Sequence, residues 1–279
     1  MLFRSDLADG DPSKGNFIIG SPLALAFTTR AAARYYLARP GWRDDLRHGL
    51  DMARSADPMS YATAVTWAYN PGIVLGALRP DDRAMGEIED ARRIAERSAD
   101  DMALVVARAT LGIALVHRHT DAERSSGQKL LAEALDEFPR QGHFQCDLPI
   151  VEVLVARERA RRGDRDEAIP LMRAAVDHLF REGRVRLWGP AAMGVLVETL
   201  LDRGADSDVT EAEAVIERLA AAAADEGLVM RDIWLLQLRA LLARVHGDEA
   251  RYRDYRDRYR DMARTLGFEG HIAWAEAMP

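Results

Sequence analysis

The sequence predicts an all-α fold, built as a right-handed superhelical stack of about six helical hairpins. Apolar residues recur at the three- and four-residue spacing of amphipathic helices along almost the whole chain, and alternating β-branched runs that would form strands are absent. Ala, Leu, Arg and Glu, which favour helices, dominate these segments. Turn residues recur at a regular interval, and because one hairpin cannot bury its apolar face alone, its neighbours must supply the rest of the core.

The interval between the predicted turns is nearly constant. Each turn closes one helix and precedes the next, at Pro40-Gly41, Pro80, Thr120, Gly163, Gly204 and Gly247. The mean interval is about 41 residues, which is typical of stacked helical hairpins. A local repeat supports this period, because the stretch Arg54 to Met59 recurs as Arg97 to Met102 with five of its six residue types unchanged.

The first three hairpins follow from these turns. Their helices are predicted over 21–38 and 42–55, 58–78 and 81–98, and 100–118 and 121–138. Asp57 before Pro58 marks the start of the third helix, because an Asp side chain accepts from exposed N–H groups and Pro suits the first turn. Pro71 lies inside that helix and is expected to kink it.

The last three hairpins are predicted over 147–162 and 165–182, 189–203 and 208–225, and 229–246 and 248–266. Asp147 before Pro149 is a looser start signal of the same kind, and a short helix is predicted from His271 to Met278. No linker composition separates domains, so we expect a lead segment over 1–20 and one continuous repeat domain over 21–279. In such stacks the first helices line the concave side and form an extended groove.

Charge and composition exclude several classes of protein. The net charge of −7 disfavours binding to nucleic acid or to anionic lipid. The apolar runs over 17–27 and 102–116 are interrupted or too short to cross a membrane, so no membrane association is expected. Cys146 is the only cysteine, which excludes an internal disulfide and predicts a reducing, cytoplasmic location.

Motifs for catalysis and for metal binding are incomplete. The segment 10–16 resembles a P-loop, but Lys14 precedes the second glycine and neither Ser nor Thr follows it. His117 and His119 lack the spacing of zinc ligands. We expect them instead to end a helix, where their side chains face its exposed carbonyls. No G-x-S-x-G motif occurs. We therefore predict a protein that is not an enzyme and has no cofactor and no metal site.

Aromatic and polar residues on the first helices are the candidates for the groove. They are Arg34, Tyr35, Tyr61, Trp67, Asn70, Arg108, His117 and Trp188. An aromatic side chain at helical spacing also suits the core, so each candidate has a structural interpretation beside the functional one.

The last long helix has a patterned surface. Tyr252, Tyr255, Tyr259, Met262 and Leu266 follow one another at alternating three- and four-residue spacing. Arg and Asp alternate elsewhere on this helix, so their charges largely cancel and nucleic-acid binding is disfavoured. We expect the stripe to pack against the previous hairpin, with a contact to a partner or to a second copy in a homodimer as the alternative.

Small residues of the fourth hairpin match a known repeat. Gly163, Ala168 and Ala175, with Ala156 before them, occupy the small positions of a tetratricopeptide repeat (TPR). The chain therefore resembles a TPR-like α-solenoid, although its period of about 41 is longer than the 34 residues of that repeat.

A second resemblance rests on motifs in the first half of the chain. These are Gly15-Asn16, Gly20-Ser21-Pro22-Leu23, Pro40-Gly41-Trp42-Arg43, Asp57-Pro58-Met59 and Ala95-Glu96-Arg97-Ser98. In them the chain resembles the C-terminal helical region of large bacterial signalling proteins that couple a class III adenylyl cyclase or a LuxR-type output to a P-loop ATPase. The resemblance implies a regulatory or interaction role, because the catalytic parts of those proteins have no counterpart in this sequence.

Two functions are consistent with these observations. The first is a non-catalytic scaffold that binds a protein partner, such as the cyclase or ATPase domains of a signalling system. The alternative is a small-ligand sensor that binds a metabolite in the concave groove.

Overall fold

The computed structural model describes residues 20–98, 100–141, 146–222 and 228–278. These residues form thirteen α-helices and no β-strand, so the all-α prediction is confirmed. The first six helices are α1 Pro22–Tyr36, α2 Trp42–Ala56, α3 Pro58–Val74, α4 Asp82–Ser98, α5 Asp101–Val116 and α6 Asp121–Gln141. The remaining helices are α7 Leu148–Arg161, α8 Arg165–Arg181, α9 Val185–Arg203, α10 Asp206–Ala221, α11 Val229–Val245, α12 Glu249–Leu266 and α13 Glu269–Ala277.

Each predicted hairpin corresponds to two consecutive helices, and the bounds differ by at most four residues. The prediction begins α9 at residue 189, but the helix begins at Val185 and continues through Pro190. Likewise, α6 continues through Pro139 to Gln141. A proline near a helix end removes only one hydrogen bond, and packing of the neighbouring apolar residues outweighs that loss.

The capping prediction for α3 is confirmed. The Asp57 carboxylate accepts from the backbone N–H of Ser60 at 2.9 Å. Asp147, in contrast, makes no capping bond through its side chain at the start of α7 and accepts from Trp188 instead.

The chain divides into two compact units. Of the described residues, the first unit comprises those within 20–73 and 79–130, and the second comprises those within 74–78 and 131–278. The division therefore falls within the range predicted as one continuous repeat domain, which stays a prediction. Of the predicted lead segment 1–20, only Gly20 lies among the described residues, and the segment 10–16 with Lys14 lies outside them.

In the first unit, α1 and α2 form a hairpin around one buried carboxylate. Asp45 is 5% exposed and accepts two hydrogen bonds from Arg30, at 2.8 and 2.7 Å. Arg34 forms an ion pair with the same carboxylate at 2.8 Å. Gly49 of α2 lies directly against α1, since a Cβ atom there would be 3.0 Å from the Thr28 side chain.

In the second unit, α9 lies at the centre of a stack of hairpins. It packs against α7, α8, α10 and α11, while α7 packs against α8, and α12 packs against α11 and α13. Between Trp188 and Leu200 every residue of α9 is buried except the half-buried Glu198. A helix that is apolar on all sides is expected at such a central place.

Candidate functional site

The structure places four of the eight groove candidates in the interior. Tyr35, Tyr61, Asn70 and Trp188 are between 2% and 8% exposed. Arg34, Arg108 and His117 are half-buried, and Trp67 is 53% exposed. The four buried side chains face the interior of their own unit, and a groove lined by the first helices stays a prediction.

Three of the four buried candidates take part in ring packing or side-chain hydrogen bonds. Tyr35 lies edge-on to the Trp42 ring, with 5.8 Å between ring centroids, and burial raises the pKa of its phenol. The Tyr61 hydroxyl accepts from Arg54 at 3.0 Å. Trp188 donates through Nε1 to the Asp147 carboxylate at 3.2 Å. These contacts give each residue a structural role within its own unit.

His117 ends α5, as the sequence predicted. It is the C-cap residue, and its Nδ1 atom lies 2.8 Å from the carbonyl oxygen of Ile113. Because a carbonyl only accepts, Nδ1 donates this hydrogen bond and satisfies one of the exposed carbonyls at the helix end.

The accessible surface of α3 is a single uncharged stripe. The whole helix lacks Asp, Glu, Lys and Arg. Beyond its first residue, only Met59, Thr63, Trp67 and Pro71 are not buried, and they recur every four residues along one side of the helix. We call these four residues the α3 stripe. Trp67 was predicted as a groove residue, but the stripe as a whole was not. Its sequence signal is a helix without any charged residue.

Arg108 lies on α5, between buried neighbours. Val106 and Ala107 before it and Ala109 and Thr110 after it are buried. Arg108 forms no ion pair within the described part of the chain. Arg108 is therefore the one groove candidate that offers an accessible positive charge without a carboxylate already bound to it in the described part of the chain.

Two of the five residues in the predicted stripe of α12 are buried, and the other three are half-buried. Tyr252 is 5% exposed and Tyr259 is fully buried, whereas Tyr255, Met262 and Leu266 are half-buried. Tyr252 packs with Ala240 and Ala243 of α11, and Tyr255 packs against the same cluster. These contacts lie within the hairpin of α11 and α12 itself, so packing of the stripe against the previous hairpin and its contact with a partner both stay predictions.

A continuous line of polar groups, most of them fully buried, crosses the second unit. It was not predicted from the sequence. Gln237 of α11 lies 2.9 Å from the Glu198 carboxyl of α9 and 3.2 Å from the Tyr259 hydroxyl of α12. That hydroxyl lies 2.8 Å from Nδ1 of His271 on α13, and Nε2 of His271 lies 3.0 Å from the carbonyl oxygen of Leu75. We call these five groups the Glu198 chain. The sequence signal for the Glu198 chain is Glu198 itself, a single carboxyl group within the apolar run of α9.

Burial controls the electrostatics of the Glu198 chain. It raises the pKa of Glu198 to about 7, against the opposing attraction of Arg157 and Arg161. It also lowers the pKa of Arg157 to about 10 and that of His271 to about 3. At neutral pH His271 is therefore uncharged, and Glu198 is close to half protonated.

Groupings for metal binding and membrane crossing do not occur in the described ranges. Within them, no three His, Cys, Asp or Glu side chains converge as metal ligands. None of the described helices combines the length and the apolar character that crossing a membrane requires. The chain matches none of the known protein families and none of the curated proteins.

Proposed function

We propose that the protein is a non-catalytic, TPR-like helical-repeat scaffold that binds a protein partner through the α3 stripe. The proposal includes the right-handed superhelical stacking of its hairpins and a place in a bacterial signalling system of the adenylyl cyclase or ATPase type, which the sequence resemblance implies. The observation that carries it is the 53% exposure of Trp67 on α3. This helix has no charged residue, and most of its other side chains are buried.

The chemistry of the α3 stripe supports a partner with an apolar helical surface. Tryptophan contributes more than most residues to the binding energy of protein interfaces. Positions that recur every four residues form a ridge along a helix, and such a ridge packs into the groove of another helix. Because no charged group lies on α3, the partner's contact face needs no complementary charge at its centre.

The stacking of hairpins in the second unit supports the scaffold architecture. The first helices α7, α9 and α11 contact one another in sequence, and each packs against its own second helix. Repeat proteins of this kind act by presenting surfaces, and each repeat depends on its neighbours for its core.

Site-specific photo-crosslinking tests the proposal in cells. A photoreactive phenylalanine analogue replaces Trp67 in one variant and Leu171 of α8 in a matched control, since Leu171 is similarly exposed at 45%. We expect one distinct protein to be crosslinked at position 67 and not at position 171, as identified by mass spectrometry. The same partner should be lost from a Trp67→Ala variant in co-purification, while a Leu171→Ala variant should retain it.

Three outcomes would contradict the proposal. Equal crosslinking at both positions would show non-specific contact, and crosslinking to a second copy of the chain would replace the partner with a homodimer. No crosslink at position 67 in cells that express the natural partners would remove the α3 stripe as a docking surface.

A further inference from the structure

We propose that the Glu198 chain is a proton-binding switch, in which uptake of one proton at Glu198 completes the line of hydrogen bonds that ties α13 to residues 74–78. All of its members belong to the second unit. Glu198 is half-buried, and Gln237, Tyr259 and His271 are at most 6% exposed.

The direction of the hydrogen bonds is fixed from the end at Leu75. The Leu75 carbonyl has no hydrogen, so Nε2 of His271 must donate the 3.0 Å bond. In a neutral imidazole the other nitrogen, Nδ1, then carries no hydrogen and accepts. The Tyr259 hydroxyl, 2.8 Å away, must therefore donate its single hydrogen to His271.

The amide of Gln237 then decides whether the chain is complete. An ionised Glu198 only accepts, so the amide nitrogen of Gln237 must face it. That orientation turns Oε1 of Gln237 toward the Tyr259 oxygen, 3.2 Å away, and no hydrogen is left to lie between these two oxygens. The ionised chain thus lacks one hydrogen.

One added proton on Glu198 removes the deficit. The protonated carboxyl donates to Oε1 of Gln237 after the amide turns by half a rotation, and the amide nitrogen then donates to the Tyr259 oxygen. The Tyr259 hydroxyl continues to donate to His271, and His271 continues to donate to Leu75. Every group in the line is satisfied and every group is neutral, which a buried polar network requires.

A proton on His271 instead would also complete the line of hydrogen bonds. The rings around the imidazole disfavour the positive charge that it would then carry. Rings of Trp234 from α11, Tyr259 from α12 and Trp274 from α13 surround the imidazole, with the Leu75 carbonyl beneath. Burial holds the pKa of His271 at about 3, far below that of Glu198. The proton therefore resides on Glu198 near neutral pH.

The charged groups around Glu198 act in both directions. Arg157 and Arg161 of α7 favour its ionised form, and Asp202 on α9 favours its protonated form. The described residues of α8 and α10, which also pack against α9, add no charged group that acts on it. The pKa of about 7 already includes these opposing influences.

The sign of the pH effect follows from this raised pKa. The folded protein holds the Glu198 proton up to about pH 7, whereas an exposed carboxyl loses it near pH 4.5. The folded state therefore binds more protons between these values, and its stability falls as the pH rises through that window. We expect the contact between α13 and residues 74–78 to loosen above neutral pH.

Amide hydrogen exchange on the full chain tests the switch. The reporters are the N–H groups of Glu269 and His271, which donate to the carbonyls of Ala77 and Gly76. After correction for the intrinsic pH dependence of exchange, the protection of these amides should fall by up to about thirtyfold between about pH 5.5 and about pH 8.5, because the lower pH lies about 1.5 units below the folded pKa of Glu198.

A matched pair of variants separates the switch from a general effect of pH. Glu198→Gln keeps a hydrogen-bond donor toward Gln237 and does not titrate, so its protection should stay equal at both pH values. Asp202→Asn, one turn further along α9, removes a negative charge that favours the protonated form of Glu198, so it should keep the pH dependence but move its midpoint to lower pH. Unchanged wild-type protection, or the same pH dependence in Glu198→Gln, would overturn the proposal.

Infrared difference spectroscopy of the wild-type chain keeps the proposal testable if Glu198→Gln does not fold. A buried protonated carboxyl gives a C=O band that disappears on ionisation. We expect such a band to be lost as the pH is raised through neutrality, and its absence at low pH would overturn the assignment of the proton to Glu198.

Discussion

His271 of α13 donates a hydrogen bond to the carbonyl oxygen of Leu75, which precedes it by 196 positions. Two backbone bonds accompany it, from Glu269 N–H to Ala77 and from His271 N–H to Gly76, at 3.0 and 3.1 Å. The N–H groups of the first turn of a helix have no partner within the helix. Gly76 and Ala77 supply two of those partners for α13, and residues 74–78 belong to the same compact unit as the helix.

This contact requires two glycines. A Cβ atom on Gly270 would lie 2.8 Å from the Gly76 carbonyl oxygen and 2.9 Å from its Cα, and backbone atoms cannot yield as a side chain does. We expect Gly270→Ala to lower the free energy of unfolding by about 1–3 kcal/mol, measured by denaturant titration.

Gly86 provides the matched control for that substitution. It lies on the exposed side of α4, and a Cβ atom there would meet nothing within 4 Å. Gly86→Ala should therefore raise the free energy of unfolding by about 0.5–1 kcal/mol, since Ala favours the helix more than Gly does. Equal effects of the two substitutions would refute the close approach at Gly270.

Asp208 at the start of α10 should contribute strongly to stability. Its carboxylate is fully buried and accepts from Arg203 at 2.8 and 2.6 Å and from the Ala205 N–H at 3.1 Å. Asp208→Ala leaves these donors unsatisfied and should lower the free energy of unfolding by about 2 kcal/mol. Asp166→Ala removes a 90% exposed partner of the same Arg203, and its effect should be close to zero.

Acid should weaken the protein through the same carboxylate. The hydrogen bond from Arg203 lowers the pKa of Asp208 in the folded state. Its stabilisation is therefore complete above the ordinary Asp pKa of about 3.9 and disappears as the pH falls through the lower folded value. A comparison of unfolding free energies at pH values from neutral to acidic should show a smaller acid-induced loss in Asp208→Asn than in the wild type.

Arg34 should affect stability through Asp45. Arg30 and Arg34 share the Asp45 carboxylate. Arg34→Ala should therefore lower the free energy of unfolding by about 1 kcal/mol in the wild type and by much less in an Asp45→Asn background. Additive effects in this double-mutant cycle would show that Arg34 does not act through Asp45.

Quenching of tryptophan fluorescence by acrylamide should report mainly on Trp67. Trp42, Trp188 and Trp234 are at most 5% exposed, and Trp274 is half-buried. Trp67→Phe should remove most of the quenchable emission. Trp188→Phe should reduce the total emission and leave the quenching constant nearly unchanged, and the reverse order would contradict the exposure of Trp67.

Local sequence signals predicted the helices well because helices are stabilised and ended locally. Asp57 caps α3, and Gly204 and Gly267 end α9 and α12 in the left-handed conformation that glycine favours. Val185 was missed as the start of α9 because Gly189 and Pro190 read as a helix beginning, whereas tertiary packing extends the helix before them.

The candidate sites depend on distant parts of the chain and were less predictable. Tyr61 and Trp67 lie on the same helix and are both aromatic, yet their neighbours bury one and leave the other exposed. The pairing of Leu75 with His271 has no local signal at all, since neither residue specifies which carbonyl or ring nitrogen will meet it.

The same pairing has a consequence for synthesis on the ribosome. Residues 75–77 leave the ribosome 196 positions ahead of their partners, which at common elongation rates is about 10–40 s. Until α13 emerges, their carbonyls bond to water and the face of Trp234 that packs on His271 and Trp274 is uncovered. The nascent chain thus exposes this apolar surface until α13 has emerged from the ribosome.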